Sequence, residues 1–195
     1  MSILMIFEVP GGTVEQYHEV NERMGIRGDG DAPGGLVWHV AGRTDDGVLV
    51  ADVWESREQF ERFFRERAGQ ALADAGVEAG EPLVLPVHNL IARGAGAEPR
   101  VIVLIDVPGF GPEAYDSVVG SMPAHAGDGS QHPAASHVAA VKDAGLLIVD
   151  LWDSPEAFAR FAESQVAPAA ASAGLGPLEP RFVPVVNRIR GPKAR

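Results

Sequence analysis

Short apolar runs alternate with segments of helical periodicity along the chain. Four runs in the first half have the length of a strand: residues 3–9, 36–41, 48–54 and 83–92. Apolar residues recur at helical spacing after the first and the third run. Thr13 followed by Gln16, and Ser56 followed by Gln59, are capping-box patterns that predict where these two helices begin. The predicted element order is therefore β-α-β-β-α-β, with a polar turn at 43–47 joining the middle strands as a hairpin.

The second half of the chain repeats the first. The segment 50–56, Val-Ala-Asp-Val-Trp-Glu-Ser, recurs as 148–154, Ile-Val-Asp-Leu-Trp-Asp-Ser, and an offset of 98 residues holds without a gap along the repeat. Such self-similarity indicates two copies of one module. We predict modules at residues 1–93 and 101–190, joined by a Gly- and Ala-rich linker at 94–100.

Each module has the element order of a ferredoxin-like plait. The strand segments 3–7, 101–105 and 145–149 are apolar at consecutive rather than alternate residues, which predicts that both faces of the sheet are covered. Helices cover only one face, and a module of about 90 residues has too small a core to leave the other face in water. We therefore expect the modules to pack sheet to sheet within one chain as a monomeric pseudo-dimer, with a higher oligomer left open.

Composition narrows the class of protein. With 46% hydrophobic and 22% charged residues the chain is a globular mixture, and its net charge of −11 without a basic run argues against a nucleic-acid partner. No apolar run approaches the roughly 18 residues of a membrane span, and the N-terminus lacks signal-peptide features. We therefore expect a cytoplasmic protein. The absence of cysteine excludes disulfides, thiolate metal sites and cysteine nucleophiles.

The paired modules resemble a known superfamily. In each, Asp-Val-Trp-Glu-Ser or Asp-Leu-Trp-Asp-Ser leads into a Phe-rich second helix, as in the dimeric α/β-barrel superfamily and particularly its antibiotic-biosynthesis-monooxygenase-like members. The resemblance implies an α+β fold in which two tandem ferredoxin-like modules form an intramolecular dimeric α/β-barrel. It implies no single reaction, because this superfamily includes cofactor-independent quinone-forming monooxygenases, lactone isomerases and haem-degrading enzymes. Haem-degrading members carry a His ligand on the second helix, and residues 57–75 and 155–173 contain no histidine.

The candidate catalytic residues are histidines and carboxylates matched between the copies. His39 and His137 occupy the same position of the second strand, and a neutral imidazole is suited to acid–base chemistry. Asp52 and Asp150 lie on the neighbouring hairpin strand, so each can pair with its His if register and facing agree. His88, near the end of strand four, joins the first site if it faces the same pocket as His39. The alternative roles are structural: histidines bonded within the sheet, and carboxylates bonded to Arg or to backbone.

The first copy is the richer one, because His88 becomes Val186 in the second. We therefore predict that the first cavity is the active one. The spacing of His125, His132 and His137 could suit a metal, but no acid accompanies it at fixed spacing, so we predict no metal site.

The leading interpretation is a cofactor-independent enzyme of specialised metabolism that acts as a monooxygenase, isomerase or cyclase on an aromatic or polyketide-like molecule. His39 is the predicted general base and Asp52 orients it. The alternative is a non-catalytic protein that binds a hydrophobic small molecule, or a barrel with a structural role only. An enzyme is expected to bring His39 together with Asp52 or His88 in one enclosed cavity under the helices.

Overall fold

A computed structural model describes residues 1–77, 80–92, 98–125 and 132–192. The first repeat contains β1 (Ile3–Pro10), α1 (Val14–Arg23), β2 (Leu36–Arg43), β3 (Gly47–Trp54), α2 (Arg57–Phe63), α3 (Gly69–Asp74) and β4 (Leu83–Ala92). The second repeat contains β5 (Val101–Pro108), α4 (Pro112–Val119), β6 (Ser136–Lys142), β7 (Gly145–Trp152), α5 (Pro155–Phe161), α6 (Ala167–Ser172) and β8 (Arg181–Arg190). Each repeat thus follows the predicted order. Of the predicted linker, residues 94–97 lie outside the described part.

Local capping starts the helices where the sequence predicts. The Gln16 amide donates to the Thr13 hydroxyl at 3.1 Å, and the Thr13 amide donates back to the Gln16 side chain at 3.0 Å. The Ser56 hydroxyl accepts from the Gln59 amide, and Ser154 caps the corresponding helix of the second repeat. These bonds satisfy backbone donors that the first helical turn leaves without partners.

The second helix of each repeat contains a π-helical turn that the sequence pattern did not predict. These turns span Phe64–Ala68, between α2 and α3, and Ala162–Val166, between α5 and α6. Their equivalent positions make the wider turn a property of the module. Such turns are frequent at functional sites.

One compact unit comprises Met1–Pro86 together with Val183–Arg195. In it, β3 pairs antiparallel with β1 and β2, β1 also pairs with the first residues of β4, and β2 pairs with β8. Strands β4-β1-β3-β2 thus have the order expected of a ferredoxin-like plait. The last strand of the chain extends this sheet at the β2 edge.

The other compact unit comprises Val87–Phe182. Here β7 pairs with β5 and β6, and β6 pairs with the remaining residues of β4. The unit boundaries therefore fall inside β4 and near the start of β8, because each of these strands is ten residues long and changes partners along its length. Compact units and sequence repeats are consequently divided at different residues.

Hydrogen bonding joins all eight strands in the closed order β1-β3-β2-β8-β5-β7-β6-β4, which confirms the predicted α/β-barrel fold class. Residues Ile3–Phe7 and Val101–Ile105 are buried consecutively, which confirms that both faces of these strands are covered. Trp54 and Trp152 are also buried, as their matched positions predict. Within the described ranges, no helix has the length and apolar character needed to cross a membrane.

Candidate active site

Strand register brings the predicted His–Asp pairs together. His39 lies directly opposite Asp52 in the β2–β3 hairpin, and His137 lies opposite Asp150 in the β6–β7 hairpin. Opposed residues of antiparallel strands project from the same face. In both hairpins the imidazole Nδ1 lies 2.7 Å from the carboxylate Oδ1, and all four side chains are buried. The fold thus forms the same His–Asp hydrogen bond twice.

The matched tryptophans complete the hydrogen bonding of both carboxylates. Trp54 Nε1 donates to Asp52 Oδ2 at 3.2 Å, and Trp152 Nε1 donates to Asp150 Oδ2 at the same distance. A buried carboxylate needs such partners to offset the water it has lost. Each indole therefore packs in the core and also fixes the orientation of the aspartate.

A tyrosine on the first helix of each module extends the network. The Tyr17 hydroxyl lies 2.7 Å from His39 Nε2, and the Tyr115 hydroxyl lies 2.6 Å from His137 Nε2. An ionised aspartate only accepts hydrogen bonds, so Nδ1 of a neutral imidazole carries the proton and Nε2 accepts from the tyrosine. The arrangement is a directed Asp–His–Tyr relay.

An asparagine from the last strand of the opposite repeat donates a hydrogen bond to each tyrosine oxygen. Asn187 Nδ2 on β8 donates to the Tyr17 hydroxyl at 2.7 Å, and Asn89 Nδ2 on β4 donates to the Tyr115 hydroxyl at 2.8 Å. Each asparagine lies in the same compact unit as its tyrosine but in the opposite sequence repeat. Neither site is therefore complete within one repeat.

Burial keeps the phenols protonated. It raises the pKa of Tyr17 to about 12, against the opposing effect of hydrogen bonding from the neighbouring Asn187 and Asn21 amides. Burial likewise raises the pKa of Tyr115 above its ordinary value. At neutral pH both tyrosines are hydrogen-bond donors rather than phenolate bases.

The first relay faces a cavity of about 110 Å³, which Tyr17, His39 and Asp52 help to line. The rest of the wall is mainly apolar and includes the side chains of Met5, Phe7, Met24, Phe60, Phe63 and Phe64. The π-helical turn contributes Phe64 and Ala68 to this wall. The location agrees with the expectation of a cavity under the module's own helices.

The second relay faces a smaller cavity of about 70 Å³. His125 also lines it, with its ring centroid 5.0 Å from that of His137. Burial, reinforced by His137, lowers the pKa of His125 to about 4. The two cavities thus share a relay but differ in volume and in polar lining.

His88 is bonded within the second compact unit and is not among the residues that line the first cavity. Its Nε2 is 2.7 Å from Asp116 Oδ1, and its ring meets the Tyr115 ring edge-on at a centroid distance of 5.6 Å. The cause is that β4 enters the second compact unit after Pro86, so His88 belongs to that unit. The expectation that His88 faces the same pocket as His39 therefore does not hold.

The three histidines of the second repeat cluster without forming a metal centre. His125, His132 and His137 have ring centroids 4.8 to 5.0 Å apart. Both ring nitrogens of His137 bond within its relay, and His132 Nδ1 accepts from the Ala134 amide. Among the residues that the structure describes, which leave out 126–131, no group of side chains is suited to holding a metal ion.

Neither the tyrosines nor the asparagines were among the predicted site residues. Tyr17 with Tyr115, and Asn89 with Asn187, are identical pairs at the repeat offset of 98 residues. That identity was the available signal. A polar residue retained in both copies beside apolar neighbours is a candidate for a buried network.

No known protein-family profile matches the chain, and no curated protein resembles it in sequence. Solved structures do resemble it over nearly its whole length. A protein from Fusobacterium nucleatum, provisionally named a monooxygenase, superposes with a TM-score of 0.69 at 8% identity, covering 97% of this chain and 94% of that one. A ferredoxin-fold protein from Listeria monocytogenes related to antibiotic biosynthesis monooxygenases gives 0.54 at 12% identity, covering 96% of each chain.

An anthrone oxidase-like protein superposes with a TM-score of 0.53 at 16% identity, covering 97% of this chain and 93% of that one. Identities this low show the fold alone. The chain shares the ferredoxin-like α/β-barrel fold of these structures, as the resemblance implies.

Proposed function

We propose that this chain is a small-molecule enzyme of the monooxygenase type and that the first cavity is its active site. The supporting observation is that Tyr17, His39 and Asp52 all line an apolar cavity, with the Tyr17 hydroxyl bonded at 2.7 Å to His39, itself bonded to Asp52. Apolar walls with a few convergent polar groups are typical of small-molecule sites. The shared fold with one protein named as a monooxygenase and another named as anthrone oxidase-like supports the same class.

The relay acts as a general base. A substrate proton passes to the Tyr17 oxygen while Tyr17 transfers its own proton to His39 Nε2, and Asp52 stabilises the resulting imidazolium. Tyr17 does not act as a standing phenolate, because its pKa is about 12. Positioned proton transfer of this kind contributes roughly 10²–10⁴-fold to a rate.

The substrate proposed is a fused aromatic molecule that becomes electron-rich on deprotonation and reacts with O₂. For an activated ring CH₂ group, the products are a ring C=O and one water, so the substrate supplies every electron and one oxygen atom enters the product. The cavity volume of about 110 Å³ corresponds to roughly eight waters, at about 10–15 Å³ for each. A ligand of two or three fused rings is the expected size.

The first cavity is favoured over the second on two grounds. Its volume is about 110 Å³ against about 70 Å³, and it lacks a counterpart of the His125 imidazole that lines the second. The second relay then serves mainly to stabilise its own unit.

The test is oxidation of anthrone, with O₂ uptake and anthraquinone formation measured against a protein-free baseline. We expect turnover by the native chain, a loss of roughly 100-fold in His39→Gln, and little change in the matched His137→Gln. Equal turnover in His39→Gln and the native chain would contradict the proposal, as would a native rate no faster than the baseline.

The second candidate function is binding without catalysis, which the apolar lining of both cavities supports. The same experiment separates the two functions when anthrone binding is measured calorimetrically. Binding without O₂ uptake favours a binding protein without catalytic activity. Binding with uptake that depends on His39 favours the enzyme.

A further inference from the structure

We infer that one position of the repeat determines which cavity takes a ligand. Gly12 leaves room in the first cavity for an aromatic ring of the ligand, whereas Phe110, its counterpart, fills that place in the second cavity with a ring of the chain itself. The inference rests on the proposed function only in taking the first cavity as the ligand site. It adds a specificity-determining residue and explains why one of two matched relays receives a substrate.

The two residues hold equivalent places in the fold. Gly12 and Phe110 are related by the repeat offset of 98 residues, and each directly precedes the N-cap residue of the first helix of its module. The turns that carry them begin alike, because the preceding Gly11 and Gly109 adopt φ angles of 73° and 72°. The main difference at this position is therefore the benzyl side chain.

Both residues line the cavity of their own module, but only one of them fills it. Gly12 lines the first cavity without a side chain, whereas Phe110 lines the second and is only 8% exposed. The Phe110 ring belongs to the same buried cluster as Tyr115, Phe158 and Phe161. Protein interiors are close-packed, so this ring excludes any other group from the volume that it takes.

Other differences between the walls do not explain the smaller second cavity. At two of the wall positions that the repeat offset pairs, the second cavity has the smaller apolar residue: Phe7 becomes Ile105, and Leu72 becomes Ala170. These changes would enlarge it, yet its volume is about 70 Å³ against about 110 Å³. Three other paired positions gain at most two carbon atoms each, whereas Phe110 brings a whole benzyl group.

The second relay is intact beside this ring. The Tyr115–His137 and His137–Asp150 bonds measure 2.6 and 2.7 Å, against 2.7 Å for both bonds of the first relay. Altered relay geometry therefore does not distinguish the cavities, whereas the place taken by Phe110 does. Because the chain supplies an aromatic ring at this position in the second cavity, a flat aromatic ring is the ligand group that suits the same position in the first.

The test counts the molecules of 1-naphthol bound per chain by isothermal titration calorimetry. We expect one in the native chain and two in Phe110→Ala, because truncating a buried aromatic side chain leaves an apolar cavity that takes up a small aromatic molecule. Phe182→Ala is the matched control. The Phe182 ring is 40% exposed and lines neither cavity, so its loss should leave one site.

The reciprocal change closes the first cavity. Gly12→Phe should weaken 1-naphthol binding by roughly 10–100-fold, which is the affinity that burying one aromatic ring supplies. A Cβ atom at Gly12 would lie 2.7 Å from Val9 Cγ1, so the Val9 side chain must move in any substitution. Gly12→Ala makes the same demand on Val9 without adding a ring, and should bind nearly as the native chain does.

Three results would each overturn the inference: a single site in Phe110→Ala, native affinity in Gly12→Phe, or no binding by the native chain. Circular dichroism establishes that each variant is folded. The two substitutions lie in different compact units, so each tests the inference without the other. The expected binding changes without anthrone oxidation would refute the enzyme alone, whereas His39-dependent oxidation at the native rate in Gly12→Phe would refute the role of Gly12 alone.

Discussion

Replacing the relay aspartates by asparagine tests the duplicated geometry. Asp52 accepts from His39 at 2.7 Å and from Trp54 at 3.2 Å, and Asp150 accepts at the same two distances. Asparagine has only one oxygen, so its NH₂ group must face either the indole N–H or the imidazole Nδ1. In the first orientation the asparagine NH₂ group and the Trp54 indole N–H are two donors facing each other. The second forces His39 into the other tautomer, and its Nε2–H then opposes the Tyr17 proton.

The expected loss of stability follows from these contacts. A buried donor left unpaired costs about 1–3 kcal/mol, and a hydrogen bond to a charged group is worth about 1.5–3 kcal/mol. Removing a buried charge offsets part of this loss. We expect Asp52→Asn and Asp150→Asn each to lower the free energy of unfolding by about 2–4 kcal/mol, and to agree within about 1 kcal/mol because the two networks match.

The assay is urea denaturation at pH 7, followed by circular dichroism, with exposed Asp45→Asn as the control expected to stay within about 0.5 kcal/mol of the native chain. Turnover of anthrone then distinguishes the catalytic relay from the second relay. We expect Asp52→Asn to lose activity through the wrong imidazole tautomer and Asp150→Asn to retain it. If either substitution lowers the free energy of unfolding by less than about 1 kcal/mol, or if the two losses clearly differ, the two networks do not stabilise the fold in the way described.

Two further predictions concern stability. Ser56→Ala and Ser154→Ala should each lower the free energy of unfolding by about 1 kcal/mol, because each removes a helix cap. The measurement is chemical denaturation, and an unchanged free energy of unfolding would contradict the prediction. The pKa of His125 is lowered to about 4, so the unfolded chain binds a proton at about pH 6.5 while the folded chain does not. Stability is therefore lost as pH falls from about 6.5 to about 4, by ~1–2 kcal/mol after allowance for solvent screening. His125→Gln should remove this pH-dependent loss of stability, whereas His18→Gln, at an exposed position, should keep it. If the free energies of unfolding of His125→Gln and the native chain differ by the same amount at every pH, the effect is excluded.

Local rules were sufficient to predict the elements, but they left the register of the His–Asp pair open. The repeat, the capping residues and the short polar turn predict the module, and the turn leaves His39 and Asp52 on adjacent strands. Register decides whether such residues meet, and a slip of one position would have put them on opposite faces. The structure places them directly opposite each other.

Long-range strand pairing was not predictable from the pattern. The apolar run of β4 predicts a strand but not that its second half pairs with β6, which carries His88 to Asp116 and Asn89 to Tyr115. The π-helical turns were not predicted for a different reason. The spacing of apolar side chains along one helix face does not distinguish an α-helical turn from the wider π-helical turn.

In the proposed reaction one of two similar relays carries the substrate proton, and removing a single hydroxyl tests this role. Tyr17→Phe keeps the ring but removes the hydroxyl that bonds His39, and Tyr115→Phe removes the hydroxyl that bonds His137. With anthrone and O₂, we predict a loss of roughly 100-fold in Tyr17→Phe and nearly native turnover in Tyr115→Phe. Native turnover in Tyr17→Phe, or an equal loss in both variants, would contradict the account.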